Sequence, residues 1–427
     1  MFQAICRYAV GCLAAVSSAS AAAAQSLPRA QPEEVGLSSE ALARIAPALK
    51  VYTESGRLPG IVFAVARRGK LVQLEALGFM DIAQNVPMRT DAVFRIYSMT
   101  KAVTAAAVVQ LIERGKIHLD DPVSEYIPAF ADVRVFAGGS AANPLLRAPA
   151  RAITIAHLLT HSAGLTYGAF GNTTVDSIYR RAGLLDPTRT IGQFADSIAR
   201  LPLLSDPGSQ WNYSMAMDVM GRVVEVASGK RFDRYLDDEL FSPLGMRETG
   251  FHATAAMSGR IATIYARGPS GALVPDAALI GAGFRADDKV FAGGQGLLST
   301  IADYMRFTQM LLNGGTLDGH RVLSQTSVDM MMRNHLPPEL SPITPPPLGN
   351  KRGYGQGFGG VVMLDSIAAG LPTSPGEYQW CGYAGTFFWI DRSLELIGMV
   401  WTQLYAGCPH PIETQFQKLV YGAIVGR

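Results

Sequence analysis

Charge of either sign is scarce in this chain and nowhere gathers into a block. Of 427 residues 17% are charged, 37 Lys and Arg against 35 Asp and Glu, a net charge of +2. Well-mixed signs without a basic run exclude nucleic acid and an anionic membrane surface as natural partners and fit a small neutral substrate. Metal-ligand residues are also few, with four cysteines and seven histidines. His157 and His161 stand four apart in Ala156-His157-Leu158-Leu159-Thr160-His161, but no third ligand is near, so both read as structural and neither a metal nor a cofactor is expected. No internal repeat is visible. What remains is an ordinary globular balance, 48% hydrophobic, long enough for one large core or two cooperating domains.

The N-terminus follows its own pattern. One positive charge in Met1 to Arg7, a small apolar run from Tyr8 and the close Ala22-Ala23-Ala24 have the three parts of a secretory signal peptide over 1–24. A periplasmic or secreted protein is the expectation. The run, rich in Ala and Ser, is weakly hydrophobic for a membrane span, so no stable insertion is expected after cleavage. Cys6 and Cys12 leave with the signal, while Cys381 and Cys408 stay and can pair in an oxidising compartment.

The chemistry starts at Phe94-Arg95-Ile96-Tyr97-Ser98-Met99-Thr100-Lys101, which opens the apolar run Ala102 to Ile112. Ser98 sits where a buried helix begins and backbone N–H groups are still unpaired. Lys101 follows three residues later, on the same helix face, which brings an amine to the hydroxyl proton. Almost no charge follows until Glu113-Arg114, and Gly115 is the expected C-cap. A lysine inside such a helix is desolvated, its pKa falls, and the serine beside it becomes a nucleophile.

Around this stretch the pattern alternates in a way that separates two regions. A helix from Leu37-Ser38-Ser39-Glu40 to Gly56 precedes two β-rich runs, Gly60 to Ala66 and Leu71 to Ala76, about the turn Arg68-Gly69-Lys70. Residues 131–290 are loops and short helices, with longer helices at Ile191 to Leu201 and Met215 to Ala227. A glycine-rich approach, Ala292 to Thr300, leads into a helix over Ile301 to Leu312, and strands follow at Tyr354 to Leu364, Gly385 to Asp391 and Leu394 to Trp401 before a closing helix at Pro411 to Val425. Leu336 to Asn350 holds six prolines and reads as a surface loop. The expectation is an α+β fold: an antiparallel sheet flanked by helices, from 25–130 and 291–427, with a second, mostly helical lobe inserted at 131–290.

Two further segments can complete the site. Tyr213, in Pro207-Gly208-Ser209-Gln210-Trp211-Asn212-Tyr213-Ser214-Met215, stands at a helix entrance and can relay a proton. Gln379-Trp380-Cys381-Gly382-Tyr383 begins an edge-like strand whose small residues let a ligand approach the backbone. An acyl-transfer site needs two N–H donors for the oxyanion, and those of Ser98 and Tyr383 are the candidates. Thr160-His161-Ser162-Ala163-Gly164 imitates a G-x-S-x-G elbow, but its first glycine is absent and no strand precedes it, so Ser162 reads as a helix-end residue.

Taken together, Ser98-Met99-Thr100-Lys101, Tyr213-Ser214-Met215 and Trp380-Cys381-Gly382 have the order and spacing of the β-lactamase-like serine hydrolases. The chain resembles family VIII carboxylesterases, relatives of class C β-lactamases and DD-peptidases, over about 35 to 425. The resemblance implies a β-lactamase/DD-peptidase-like fold, Ser98 as nucleophile, Lys101 as base, Tyr213 as the catalytic tyrosine and the oxyanion donors at Ser98 and Tyr383. It places substrate contacts at Tyr97, Met215, Trp380, Cys381 and Gly382. Met215 replaces the Asn, and Trp380 the Lys, with which β-lactamases hold the amide and carboxylate of their substrate. An indole cannot replace a cation in that task, which favours a neutral, short-acyl ester. For Cys381 two roles stay open, packing or a bond to Cys408. β-Lactamase, D-amino-acid peptidase, amide hydrolase and acyltransferase chemistry would use the same residues, and a non-catalytic penicillin-binding-like sensor would use the same scaffold.

Overall fold

The computed structural model describes residues 26–184, 186, 188–277, 289–340, 343, 352–408 and 410–426. The expected signal peptide and most of the proline-rich 336–350 segment lie outside the described residues.

An eight-stranded, wholly antiparallel sheet carries the fold. The N-terminal strands are β1 (Gly60–Arg67), β2 (Lys70–Asp81) and β3 (Val86–Pro87); the C-terminal strands are β4 (Tyr354–Gln356), β5 (Val361–Met363), β6 (Tyr378–Gly382), β7 (Thr386–Asp391) and β8 (Leu396–Trp401). Their order is β4-β5-β6-β7-β8-β1-β2-β3, so the two ends of the chain meet at the β1–β8 pairing, Val62 opposite Trp401. Arg68 (φ 52°) and Gly69 (φ 73°) both adopt the left-handed conformation that a two-residue hairpin turn requires. Every residue of β1 is buried. A strand covered on both faces reads as a continuous apolar run, which Gly60 to Ala66 is.

Helices cover both faces. They are labelled α1 (Ile45–Glu54), α2 (Thr100–Glu113), α3 (Ala216–Ser228), α4 (Ile301–Leu312) and α5 (Pro411–Tyr421). Phe388 meets Tyr304 of α4, ring centroids 5.1 Å apart, whereas its neighbour Trp389 meets Phe416 of α5 at 5.4 Å. Successive strand residues face opposite ways, so α4 and α5 lie on opposite sides of the sheet. Burial of each such ring contributes roughly 1.5–3 kcal/mol. The Tyr52 hydroxyl of α1 donates to Gln415 Oε1 of α5 at 2.7 Å, tying these two helices together.

The stretch 131–290 is rich in helix: Ile155–Leu159, Thr174–Arg181, Ile191–Ala199, α3 and Phe232–Leu236. Thr154, Thr173 and Thr190 each start their helix with a reciprocal capping box. Two hairpins also occur there, Val135–Gly139 with Pro144–Arg147 and Tyr265–Arg267 with Leu273–Pro275. The second returns to the sheet region, where Tyr265 N–H donates to Gln403 O and Tyr405 N–H to Tyr265 O. Helix α2 lies against α3 with Thr100 to Leu111 buried without interruption. Over that stretch it has no solvent face. It stops where Gly115 (φ 65°) takes the left-handed conformation. Among the described residues no helix is long and apolar enough to cross a membrane.

Candidate active site

Ser98 is placed by a short strand pair. Val93–Arg95 runs antiparallel to Leu298–Thr300, Ile96 N–H donates to Leu297 O at 3.1 Å, and one 3-10 turn, Tyr97–Met99, leads into α2. Tyr97 has φ 41°, a left-handed conformation uncommon for an aromatic residue, directly before the serine. Ser98 is half-buried while its neighbours Met99 and Lys101 are closed off. Its N–H belongs to the first helical turn, where donors have no acceptor within the helix.

Lys101 is fully buried, 0% exposed. Its Nζ lies 3.1 Å from Ser98 Oγ, 2.9 Å from Tyr167 Oη and 2.6 Å from Gly294 O. Burial lowers its pKa to about 7, with the Asp218 carboxylate pulling the other way. Asp218, also 0% exposed, accepts from Gly294 N–H at 2.9 Å and from the Tyr167 hydroxyl at 3.4 Å. Burial raises the Asp218 pKa against the opposing pull of Lys101. Both shifts favour the uncharged amine. Gly294 O can only accept and the Tyr167 hydroxyl donates its hydrogen to Asp218, so a neutral Lys101 turns its two hydrogens to these partners and its lone pair to Ser98.

Tyr213 comes from the segment before α3. Asn212 N–H donates to His161 O at 2.8 Å, Asn212 Nδ2 to Leu165 O at 2.7 Å and Trp211 Nε1 to Gln356 Oε1 at 3.0 Å, which holds the tyrosine on a fixed edge. Its hydroxyl donates to Ser98 Oγ at 2.7 Å. Lys101 Nζ stands 4.8 Å from the centre of its ring. Burial raises the Tyr213 pKa and the bond to Ser98 opposes this, so the group is a phenol at rest. His161 backs this ring at 5.0 Å, and burial holds its pKa well below the ordinary value. His157 Nδ1 accepts from Thr154 N–H in a capping box; both histidines have structural surroundings.

The third segment differs from its expected setting. Strand β6 is interior, paired with β5 and β7, because strand order depends on distant partners that the local pattern does not contain. Its end approaches the serine closely: a Cβ on Gly382 would lie 2.3 Å from Ile96 O. Gly385 N–H donates to Gly382 O at 2.9 Å. In a planar trans peptide that bond aims the Tyr383 N–H the opposite way, and this N–H has no protein acceptor among the described residues. Trp380 is 2% exposed with its ring 5.7 Å from Tyr213. Its Nε1 has no hydrogen bond of ordinary geometry, yet is near enough to the Tyr213 oxygen to favour the phenolate. Cys381 is disulfide-bonded to Cys408, which decides between the two roles left open for it. Met215 is buried at the entrance to α3.

Four neighbours of the site were not legible beforehand: Tyr167, Phe170, Asp218 and Tyr405. Phe170 packs between Tyr213 (5.8 Å) and Tyr383 (5.7 Å), and Tyr405 between Tyr97 (5.8 Å) and Tyr383 (4.6 Å), forming an aromatic wall beside the serine. Asp218 alone carried a signal, a lone carboxylate in the apolar run Met215-Ala216-Met217-Asp218-Val219-Met220. Ser162 lies beyond the end of helix Ile155–Leu159, hydrogen-bonded to Thr160 Oγ1 at 2.9 Å.

Known proteins resemble this chain over most of its length. Protein Rv1367c of Mycobacterium tuberculosis is 37% identical over 82% of this chain and 86% of its own length. Esterase EstB of Burkholderia gladioli is 33% identical over 86% of this chain and 91% of its own. The solved structure of EstCE1, described as a hydrolase with promiscuous acyltransferase activity, superposes with a TM-score of 0.76 at 27% identity, covering 90% of this chain and 99% of that one. The sheet with its flanking helices is the β-lactamase/DD-peptidase-like fold, and since the Beta-lactamase family model matches residues 45–417, this chain belongs to that family.

Proposed function

We propose that the protein hydrolyses carboxylic esters through an acyl-enzyme on Ser98. The observation that carries this reading is the pair of contacts on Ser98 Oγ, 2.7 Å from the Tyr213 hydroxyl and 3.1 Å from a wholly buried lysine amine. Ser98 attacks the ester carbonyl as its proton passes to Lys101, and the N–H groups of Ser98 and Tyr383 receive the oxyanion, each worth roughly 3 kcal/mol of barrier. Tyr213 then donates its proton to the departing alkoxide. The resulting phenolate is stabilised by the Lys101 ammonium close to its ring and recovers a proton from it. Water deacylates Ser98 by the same relay in reverse.

Trp380, in place of a cation, supports a preference for neutral esters over carboxylate-bearing β-lactams. The aromatic wall of Phe170, Tyr383 and Tyr405 supports short acyl groups, which can pack on it without a deep channel. Export to the periplasm or the medium is part of the same proposal: the disulfide suits an oxidising compartment and the 1–24 pattern suits secretion. Acyl transfer to an alcohol is the second reading, since EstCE1 is described as having both activities and an alcohol can replace water at deacylation.

The test is a panel of p-nitrophenyl esters, a chromogenic cephalosporin and a D-alanyl peptide, with a fluorophosphonate label located by peptide mapping. Short esters are expected to be hydrolysed fastest, with the label on Ser98. Label on a peptide lacking Ser98, or faster cephalosporin turnover, would overturn the reading.

A further inference from the structure

Cys381 is the middle residue of the Trp380-Cys381-Gly382 run, and its partner Cys408 lies in the loop between β8 and α5. That loop carries Tyr405, which packs on Tyr97, the residue before the nucleophile, and edge-on against Tyr383 at 4.6 Å. Gly407 N–H donates to Tyr383 O at 3.0 Å, and Leu404 N–H to Ala384 O at 3.0 Å. Gly407 has φ 82°, a conformation strained for other residues, and an added Cβ would lie 3.3 Å from the Tyr383 ring, a tight contact. The loop is therefore packed on the residue whose N–H is the candidate second oxyanion donor, and among the described residues the disulfide is its one covalent cross-link to β6. Tyr405 itself is 37% exposed, so its own burial holds the loop only in part.

We propose that the Cys381–Cys408 disulfide is a positioning clamp for the Tyr383 N–H and the Tyr405 ring, so that turnover depends on the thiol state of this pair. The proposal rests on the ester-hydrolase reading. A dithiol reductant supplies two electrons and two protons: the protein S–S bond breaks, Cys381 and Cys408 become thiols, and the reductant closes into its own cyclic disulfide. The loop then keeps only non-covalent holds, the backbone hydrogen bonds of Leu404 to Ala384, Tyr405 to Tyr265 and Gly407 to Tyr383 and the Tyr405 ring contacts with Tyr97 and Tyr383, and it loosens at its Cys408 end. Tyr383 is then less firmly positioned, while Ser98, Lys101 and Tyr213, held by α2 and the segment before α3, keep their places. An enzyme built this way reaches full activity only after leaving a reducing compartment.

The experiment compares oxidised protein, protein treated with dithiothreitol, and the C381A/C408A double variant, with thiols counted by maleimide mass tagging. Hydrogen exchange read by mass spectrometry on peptides covering 378–386 and 401–411 tests the clamp without reference to catalysis. Exchange there is expected to rise on reduction and in the double variant, with the 94–113 peptide unchanged. For short p-nitrophenyl esters kcat is expected to fall about tenfold or more, as partial loss of one oxyanion donor gives, with KM changed less. The effect reverses on reoxidation and is absent when dithiothreitol is added to the double variant. Unchanged exchange, an unchanged kcat with the disulfide opened, or a loss that tracks global unfolding in near-UV circular dichroism overturns the clamp. Failure of the oxidised protein to turn over any ester strikes instead at the ester-hydrolase reading, and the exchange measurement still decides whether the loop is clamped.

Discussion

Lys101 and Asp218 are joined through one residue, Gly294, whose carbonyl accepts from the lysine at 2.6 Å and whose N–H donates to the carboxylate at 2.9 Å. Tyr167 closes the ring from the other side, 2.9 Å from Lys101 Nζ and 3.4 Å from Asp218 Oδ2. A buried amine and a buried acid thereby share one set of hydrogen bonds, which places the proton balance of the site under the control of groups that never touch Ser98.

The pH profile should show this balance. With the Lys101 pKa at about 7, kcat/KM for a neutral ester is expected to rise with pH through that value, because the ammonium form has no lone pair to take the Ser98 proton. The Asp218 charge holds that pKa up. Asp218→Asn should therefore move the acid limb to lower pH, and a limb that stays in place or moves upward would remove Asp218 from the electrostatics of the base.

Gly294 admits no side chain. A Cβ there would lie 2.4 Å from Asp218 Oδ2 and 2.7 Å from its Cγ. Gly294→Ala should cost about 1–3 kcal/mol in stability by overpacking, and displacement of the carboxylate should lower kcat at least tenfold. Thermal unfolding together with steady-state rates checks both; a variant with normal melting and normal turnover would show that Gly294 can shift freely.

Ser98→Ala, Lys101→Ala and Tyr213→Phe should each lower kcat by about 10³-fold or more, and any pair should lose little beyond the worse single change, because the three act as one unit. Single and double variants assayed on one ester decide this. Additive losses, or near-normal turnover in Tyr213→Phe, would break the relay.

Gly382→Ala tests the oxyanion side alone. Its Cβ would meet both Ile96 O and Thr386 Oγ1 at 2.3 Å, forcing the end of β6 away from the serine turn. The expectation is a loss of kcat of about 10²-fold, the scale of one misplaced oxyanion donor, with fluorophosphonate labelling of Ser98 slowed but still at Ser98. Undiminished kcat would show that the Tyr383 N–H does not face the reacting carbonyl.

What could be read in advance was local. The Ser98–Lys101 pair follows from three-residue spacing on an apolar helix, the hairpin turn from Arg68-Gly69-Lys70 between β-branched runs, and the end of α2 from Gly115. The two hairpins within 131–290 stayed hidden because their strands are only three to five residues long, too short for alternation to stand out. The interior position of β6 was equally hidden, since a sheet's neighbours are chosen by the whole chain. Tyr167 gave no sign because a tyrosine in a loop acquires meaning only from what it faces.

By itself, then, the amino-acid order determined which residue types lie a few positions apart on one helix or one turn, since those spacings are set by backbone geometry. The folded molecule alone decided that Tyr213, 115 residues beyond Ser98, donates to its oxygen, that Lys101 is closed off from the surface, and that Cys381 is tied to Cys408. Such contacts require distant segments to pack on one another, and both the loss of solvent at an amine and the meeting of two side chains depend on which surfaces close together.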